Sequence, residues 1–177
     1  MKSEDEQAHQ NPRQPDGCPN NTAAVAGKTT VLGVCGWSGA GKTTLIEDVL
    51  PRLKGLGLRV LVAKHEVHTI EIDPRGKDSA RIFDAGADVI LTGRAQQMWR
   101  KHLDGSPALL DELRELSGDY DIILVEGHKD LPIQKVWLLG PEKTAPPPDC
   151  TQIISMLKRG AGRAETFMGI LRERLAI

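Results

Sequence analysis

The chain has 177 residues and a formal net charge of −1, with charges of both signs spread along it and an aromatic content of 3%. That length supports one domain with a full core, and the charge balance gives no electrostatic case for nucleic acid, a base-stacking platform or a polybasic membrane patch. No apolar run approaches the roughly 18 residues of a membrane span, Met1 to Glu6 is the opposite of a secretory signal, and the scattered Cys18, Cys35 and Cys150 read as reduced thiols, so a soluble cytoplasmic domain is expected.

Residues 1–27 are rich in Gln, Asn, Pro and charge. Such a segment buries too little apolar surface to offset its ordering entropy, which predicts a disordered polar tail. The domain proper is expected over 28–177. Ala26-Gly27-Lys28-Thr29-Thr30 repeats the letters of Ala40-Gly41-Lys42-Thr43-Thr44, but Thr22 stands where a glycine is needed and a strand follows it. It is no second phosphate site.

Thr29 to Cys35 reads as a buried strand. It runs into Gly36-Trp37-Ser38-Gly39-Ala40-Gly41-Lys42-Thr43, which satisfies the P-loop pattern G-x-x-x-x-G-K-[ST] at every position. The glycines let successive N–H groups turn inward at phosphate oxygens. Lys42 can neutralise phosphate charge, and the Thr43 hydroxyl can ligate Mg²⁺. Leu45, Ile46, Val49, Leu50 and Leu53 recur at helical spacing, so a helix dipole also faces the phosphates. This helix is expected to run to about Lys54, loosened at Pro51 and ended by Gly55-Leu56-Gly57.

Leu58 to Lys64 is the second strand, expected to form a parallel pair with the first through a right-handed crossover. His65 to Arg75 lacks periodicity and reads as a functional loop. A helix from Asp78 to about Gly86 and a third strand, Asp88 to Thr92, follow. Helical stretches are expected around Ala95 to His102 and Ala108 to Leu116. Tyr120 to Gly127 is a fourth strand and Gln134 to Leu139 a fifth. The proline-rich loop 140–149 is irregular, and Ile153, Ile154 and Leu157 begin a final helical region reaching Leu175. The alternation predicts an α/β fold, a three-layer P-loop NTPase sandwich over a mostly parallel sheet.

Ligands of such sheets lie beyond the strands' carboxyl ends. That rule selects the P-loop, Lys64 and His65, Thr92 to Arg94, and Glu126 to Lys129. Glu126 closes an apolar run where a P-loop protein places its Walker-B acid, able to hold metal-bound water or orient an attacking one. Lys64 and Lys129 can add positive charge around a polyphosphate. Asp73 and Asp78 can reach Mg²⁺ if their loop folds over the nucleotide, although Asp78 equally serves as a helix N-cap. The candidate phosphate site is therefore Gly36, Ser38, Gly39, Ala40, Gly41, Lys42, Thr43 and Thr44 with Lys64, His65 and Lys129. Lys42 and Glu126 are its catalytic pair, and Thr43, Glu126, Asp73 and Asp78 its metal ligands. His65 and His68 lack the neighbours of a zinc or nickel set.

The P-loop with Leu45-Ile46, then Lys64-His65, Asp73-Pro74-Arg75-Gly76-Lys77-Asp78-Ser79, Ala85-Gly86-Ala87 and Leu124-Val125-Glu126-Gly127-His128-Lys129 resembles the molybdopterin-guanine dinucleotide biosynthesis protein B family from about residue 29 to 140. The resemblance implies a GTP-binding, Mg²⁺-dependent protein with weak GTPase activity. It implies three kinds of partner: the molybdenum cofactor guanylyltransferase that joins GMP to molybdopterin, other molybdopterin-cofactor assembly proteins, and a second copy in a homodimer. It places Gly39, Gly41, Lys42 and Thr43 at the phosphates and Mg²⁺, with Lys64, Asp73, Asp78 and Glu126 around them. No N-K-x-D or T-K-x-D string occurs, so guanine specificity rests on the resemblance. The same fold also supports an ATP-dependent ligase or kinase similar to dethiobiotin synthetase, or a metal-delivery GTPase like those that load nickel enzymes.

Overall fold

The computed structural model describes residues 29–64, 66, 76–103, 109–142 and 144–177. Its frame is a five-stranded sheet of β1 (Thr30–Gly36), β2 (Val60–Lys64), β5 (Ile122–Glu126), β6 (Lys135–Leu138) and β7 (Ile153–Leu157), ordered β2-β5-β1-β6-β7. Every pairing in it is parallel. Helices α1 (Lys42–Gly55) and α4 (Arg163–Leu175) pack on one face against Leu32, Val34, Ile122, Leu124, Val136 and Leu138. The other face buries Ile123 and Val125 beneath Leu113 of α3 (Leu109–Glu115). Alternate residues of β5 thus face opposite layers, as a period of two requires. This is the three-layer α/β sandwich the alternation implied.

Burial sets the strand order. All five residues of β5 are buried, so it belongs inside the sheet, whereas β2 is only half-buried until its exposed last residue and takes an edge. Consequently β2 is parallel to β1 but does not pair with it, contrary to the expected direct crossover, because β5 lies between them.

Helix α1 runs through Pro51 to Gly55. It closes as the glycines suggested: Gly57 adopts φ 78°, its N–H donates to Lys54 O at 2.9 Å, and the Leu58 N–H donates to Leu53 O at 3.2 Å. This double closure satisfies carbonyls left open at a helix end.

Three further readings need correction. The stretch 95–102 is not helical: β4 (Gln97–Arg100) pairs antiparallel with β3 (Val89–Thr92) in a separate two-stranded sheet. Its burial alternates residue by residue, the mark of a strand. The third strand therefore lies outside the main sheet. Finally, Ile153 to Leu157 is a strand beside β6, and the last helix starts only at Arg163. Helix α2 spans Asp78–Asp84. Among the described residues no helix is long and apolar enough to cross a membrane.

Candidate phosphate-binding site

Strand β1 is central, so the loop at its carboxyl end lies at the middle of the ligand-binding edge. Gly36 is required there by close approach: a Cβ on it would stand 2.8 Å from Leu138 O and 3.1 Å from Ala40 Cβ. The loop then turns on Gly39 and Gly41, with φ 74° and 83°, a region costly for residues with a side chain. Ala40 N–H donates to Trp37 O at 3.1 Å and pins the turn. Ala40 is buried, while Ser38, Gly39, Thr43 and Thr44 are exposed. Helix α1 begins at Lys42, and the first N–H groups of a helix have no partner within it. Lys42 Nζ folds back over the loop to Gly36 O at 3.3 Å and Trp37 O at 3.2 Å.

The Thr43 hydroxyl donates to Glu126 Oε1 at 2.9 Å. Register makes that meeting possible, since Glu126 stands level with Val34 of β1 and Lys64 of β2. Two hard oxygen donors at one point, one of them a buried carboxylate, are the chemistry Mg²⁺ takes.

Lys129 lies on the adjoining wall, its Nζ 4.1 Å from the centre of the Trp37 ring. The Trp37 indole N–H donates to Ala145 O at 2.9 Å. Trp37 also meets Trp137 edge to face at 5.9 Å, and the Trp137 indole donates to Thr144 O at 2.9 Å. The backbone at Thr144 and Ala145 is thus held by two indoles, Trp37 of the P-loop and Trp137 of β6. A cavity of about 270 Å³ opens between Trp37, Ser38 and Gly140 to Glu142. A larger one of about 410 Å³ is lined by Thr29, Val31, Leu113 and Ile133, at the strands' opposite end and away from the candidate phosphate site.

Other candidates are placed less centrally. Lys64 is exposed at the end of β2. Asp78 opens α2 beside Arg81, 3.7 Å away, with its side chain 93% exposed; among the described residues no hydrogen bond or ion pair joins it to Thr43 or Glu126. His65 and Asp73 lie outside the described residues. Thr92, Gly93 and Arg94 belong to the β3–β4 hairpin rather than the main sheet's edge. Among the described residues no group of three or more His, Cys, Asp or Glu side chains forms a metal site.

Two residues went unnoticed in the sequence reading of the site. Cys35, immediately before the loop, donates its thiol to Gly127 O at 2.9 Å. Burial, and next the nearby Cys150, push its pKa up to about 11, so it is a neutral thiol rather than a nucleophile. Arg163, at the start of α4, reaches the P-loop from behind and donates to Ala40 O at 2.6 Å. Desolvation, and next Arg159, hold its pKa below the usual guanidinium value.

Residues 31–158 match the family model of molybdopterin guanine dinucleotide synthesis protein B. The Haemophilus influenzae molybdopterin-guanine dinucleotide biosynthesis adapter protein is 36% identical over 129 residues, which is 70% of this chain and 71% of that one. The Escherichia coli adapter protein is also 36% identical, over 121 residues covering 64% and 69%. The crystal structure of a molybdopterin-guanine biosynthesis protein B superposes with a TM-score of 0.64 at 23% identity, covering 83% of this chain and 99% of that one; this likeness shows the fold. The chain belongs to the molybdopterin guanine dinucleotide synthesis protein B family.

Proposed function

We propose that this protein is a GTP-binding adapter of molybdopterin-guanine dinucleotide biosynthesis, with slow Mg²⁺-dependent GTP hydrolysis. Its partner is the guanylyltransferase that attaches GMP to molybdopterin, within the wider cofactor assembly machinery. Family membership supports the adapter role. One observation carries the chemistry: the P-loop hydroxyl of Thr43 and the buried carboxylate of Glu126 meet at 2.9 Å.

The residues divide the work. The N–H groups of the loop and of the first turn of α1 bind phosphate oxygens, helped by the helix dipole. Lys42 leaves the carbonyls of Gly36 and Trp37 for a phosphate, exchanging neutral acceptors for charged ones. Thr43 and Glu126 hold Mg²⁺, which neutralises phosphate charge when bound. Glu126 also orients water. Lys129 adds a positive charge at the wall nearest Trp37. Slow turnover suits an adapter whose nucleotide state governs association.

A second copy completes the assembly. The β3–β4 hairpin stands apart from the main sheet and exposes Ile90 (53%) and Trp99 (57%), an apolar pair suited to a self-complementary contact. A monomer mass in sedimentation at micromolar concentration would remove this element.

The adapter reading is tested by guanylyl transfer to molybdopterin with the purified transferase. Adding this protein with GTP is expected to raise product formation, and Lys42→Ala is expected to abolish the gain. Equal stimulation by Lys42→Ala would sink the nucleotide-dependent role.

A further inference from the structure

The guanidinium of Arg163 gathers the backbone of three segments. Nη1 donates to Ala40 O at 2.6 Å in the P-loop, and Nη2 donates to Leu139 O at 3.0 Å and Leu157 O at 3.5 Å, beyond β6 and at the end of β7. Nε donates to Lys158 O at 2.8 Å. All its acceptors are neutral carbonyls; among the described residues no carboxylate pairs with it. Arg163 is only partly buried, but turning its charged, planar fork onto neutral carbonyls still costs some desolvation that no anion offsets.

The peptide plane gives the arrangement a purpose. Ala40 C=O and Gly41 N–H belong to one rigid trans unit and point in opposite directions. A carbonyl drawn to Arg163 therefore turns the Gly41 N–H away from Arg163. This peptide precedes a glycine at φ 83°, ψ 34°, whose backbone is permissive enough to reorient. Space is tight as well: a Cβ on Gly41 would lie 3.4 Å from Arg163 Nη1.

We propose that Arg163 is a positioning residue that locks the Ala40–Gly41 peptide with its N–H facing the phosphate chain. This rests on the P-loop reading above and extends it to a residue beyond the family-matched segment, which ends at residue 158. The residue touches no phosphate itself. It acts on the loop, with its positive charge behind the anion as a secondary effect.

The test is calorimetric titration of the full chain with GTP and, separately, with inorganic tripolyphosphate, each with Mg²⁺, below the unfolding range of every variant. Arg163→Ala is expected to weaken both ligands by about tenfold or more and by the same factor, since the loss lies in the phosphate cradle. Arg163→Lys keeps the charge but not the fork and is expected to show most of the loss. Arg172→Ala, an exposed arginine on the same helix, is expected to bind as the unaltered chain does. A purely structural brace would lower the melting temperature and leave affinity intact. The amide resonance of Gly41 supplies an independent readout: tripolyphosphate shifts it in the unaltered chain and fails to do so in Arg163→Lys. Unchanged affinity in folded Arg163→Lys overturns the proposal, as does a loss confined to GTP, which leaves the P-loop reading standing. Failure of the unaltered chain to bind either ligand overturns both.

Discussion

Replacing Glu126 by Gln preserves the shape of the side chain and removes one negative charge. Glu126 is 7% exposed and accepts the Thr43 hydroxyl at 2.9 Å. A hydrogen bond to a charged acceptor is worth about 1.5–3 kcal/mol and one to a neutral amide about 0.5–1.5, so that contact alone weakens by about 1 kcal/mol. The larger effect falls on the cation. Two unit charges about 4 Å apart at an effective dielectric of about 20 interact by about 4 kcal/mol, and a divalent ion feels more. Water at the mouth of the loop and loss of Mg²⁺ hydration offset much of this. A net loss of about 2–4 kcal/mol corresponds to a rise of roughly 30-fold to 1,000-fold in half-saturating Mg²⁺. Binding of GTP in EDTA changes little, because the phosphate contacts of the loop are untouched. Phosphate release measured across a Mg²⁺ series, beside calorimetry with and without the metal, separates the two effects. Unaltered Mg²⁺ dependence and turnover in the variant would return Glu126 to a carboxylate at a strand end with no metal to hold.

Other expectations follow from single contacts. Gly36→Ala drives a methyl to 2.8 Å from Leu138 O; a cost of about 1–3 kcal/mol is expected in urea unfolding, together with loss of nucleotide binding, and a variant that binds GTP normally contradicts the close-approach argument. The Cys35 pKa is raised from 9.0 to about 11 by burial first and then Cys150. Its protonated form is therefore favoured in the folded chain, giving stability that is fully present below pH 9.0 and lost as pH rises through about 11. Unfolding followed between those limits should show this loss in the unaltered chain and a flatter profile in Cys35→Ala. The same slope in both assigns the alkaline transition elsewhere.

The geometry of the candidate phosphate site was legible because its pattern is written locally. The spacing from Gly36 to Thr43 dictates a loop and helix that a contiguous stretch can build alone, and a carboxylate closing the run Ile122 to Val125 marks the edge of a buried strand. Reading 153–157 as helix failed for the opposite reason. Ile153, Ile154 and Leu157 fit one side of a helix, but their conformation is decided by pairing with β6, a long-range contact that overrides local spacing. At 95–102 the alternation of Gln97, Met98, Trp99 and Arg100 was too short to outweigh helical propensity until β3 lay beside it. Strand order was hidden as well, since nothing local places β5 between β1 and β2. Arg163 was invisible in another sense: its partners are backbone carbonyls, which carry no residue signature. A guanidinium at the first turn of α4 looks like any solvated charge until the fold brings Ala40 to it.

We propose above that the P-loop binds GTP in preference to ATP and hydrolyses it slowly. Calorimetric titration of the purified chain with each nucleotide and Mg²⁺ tests it most directly, with phosphate release measured on the same sample. Clear preference for GTP is expected, with turnover well below the roughly 1 s⁻¹ lower end of typical metabolic enzymes. Preference for ATP would contradict it and favour a small-molecule ligase or kinase built on the same loop.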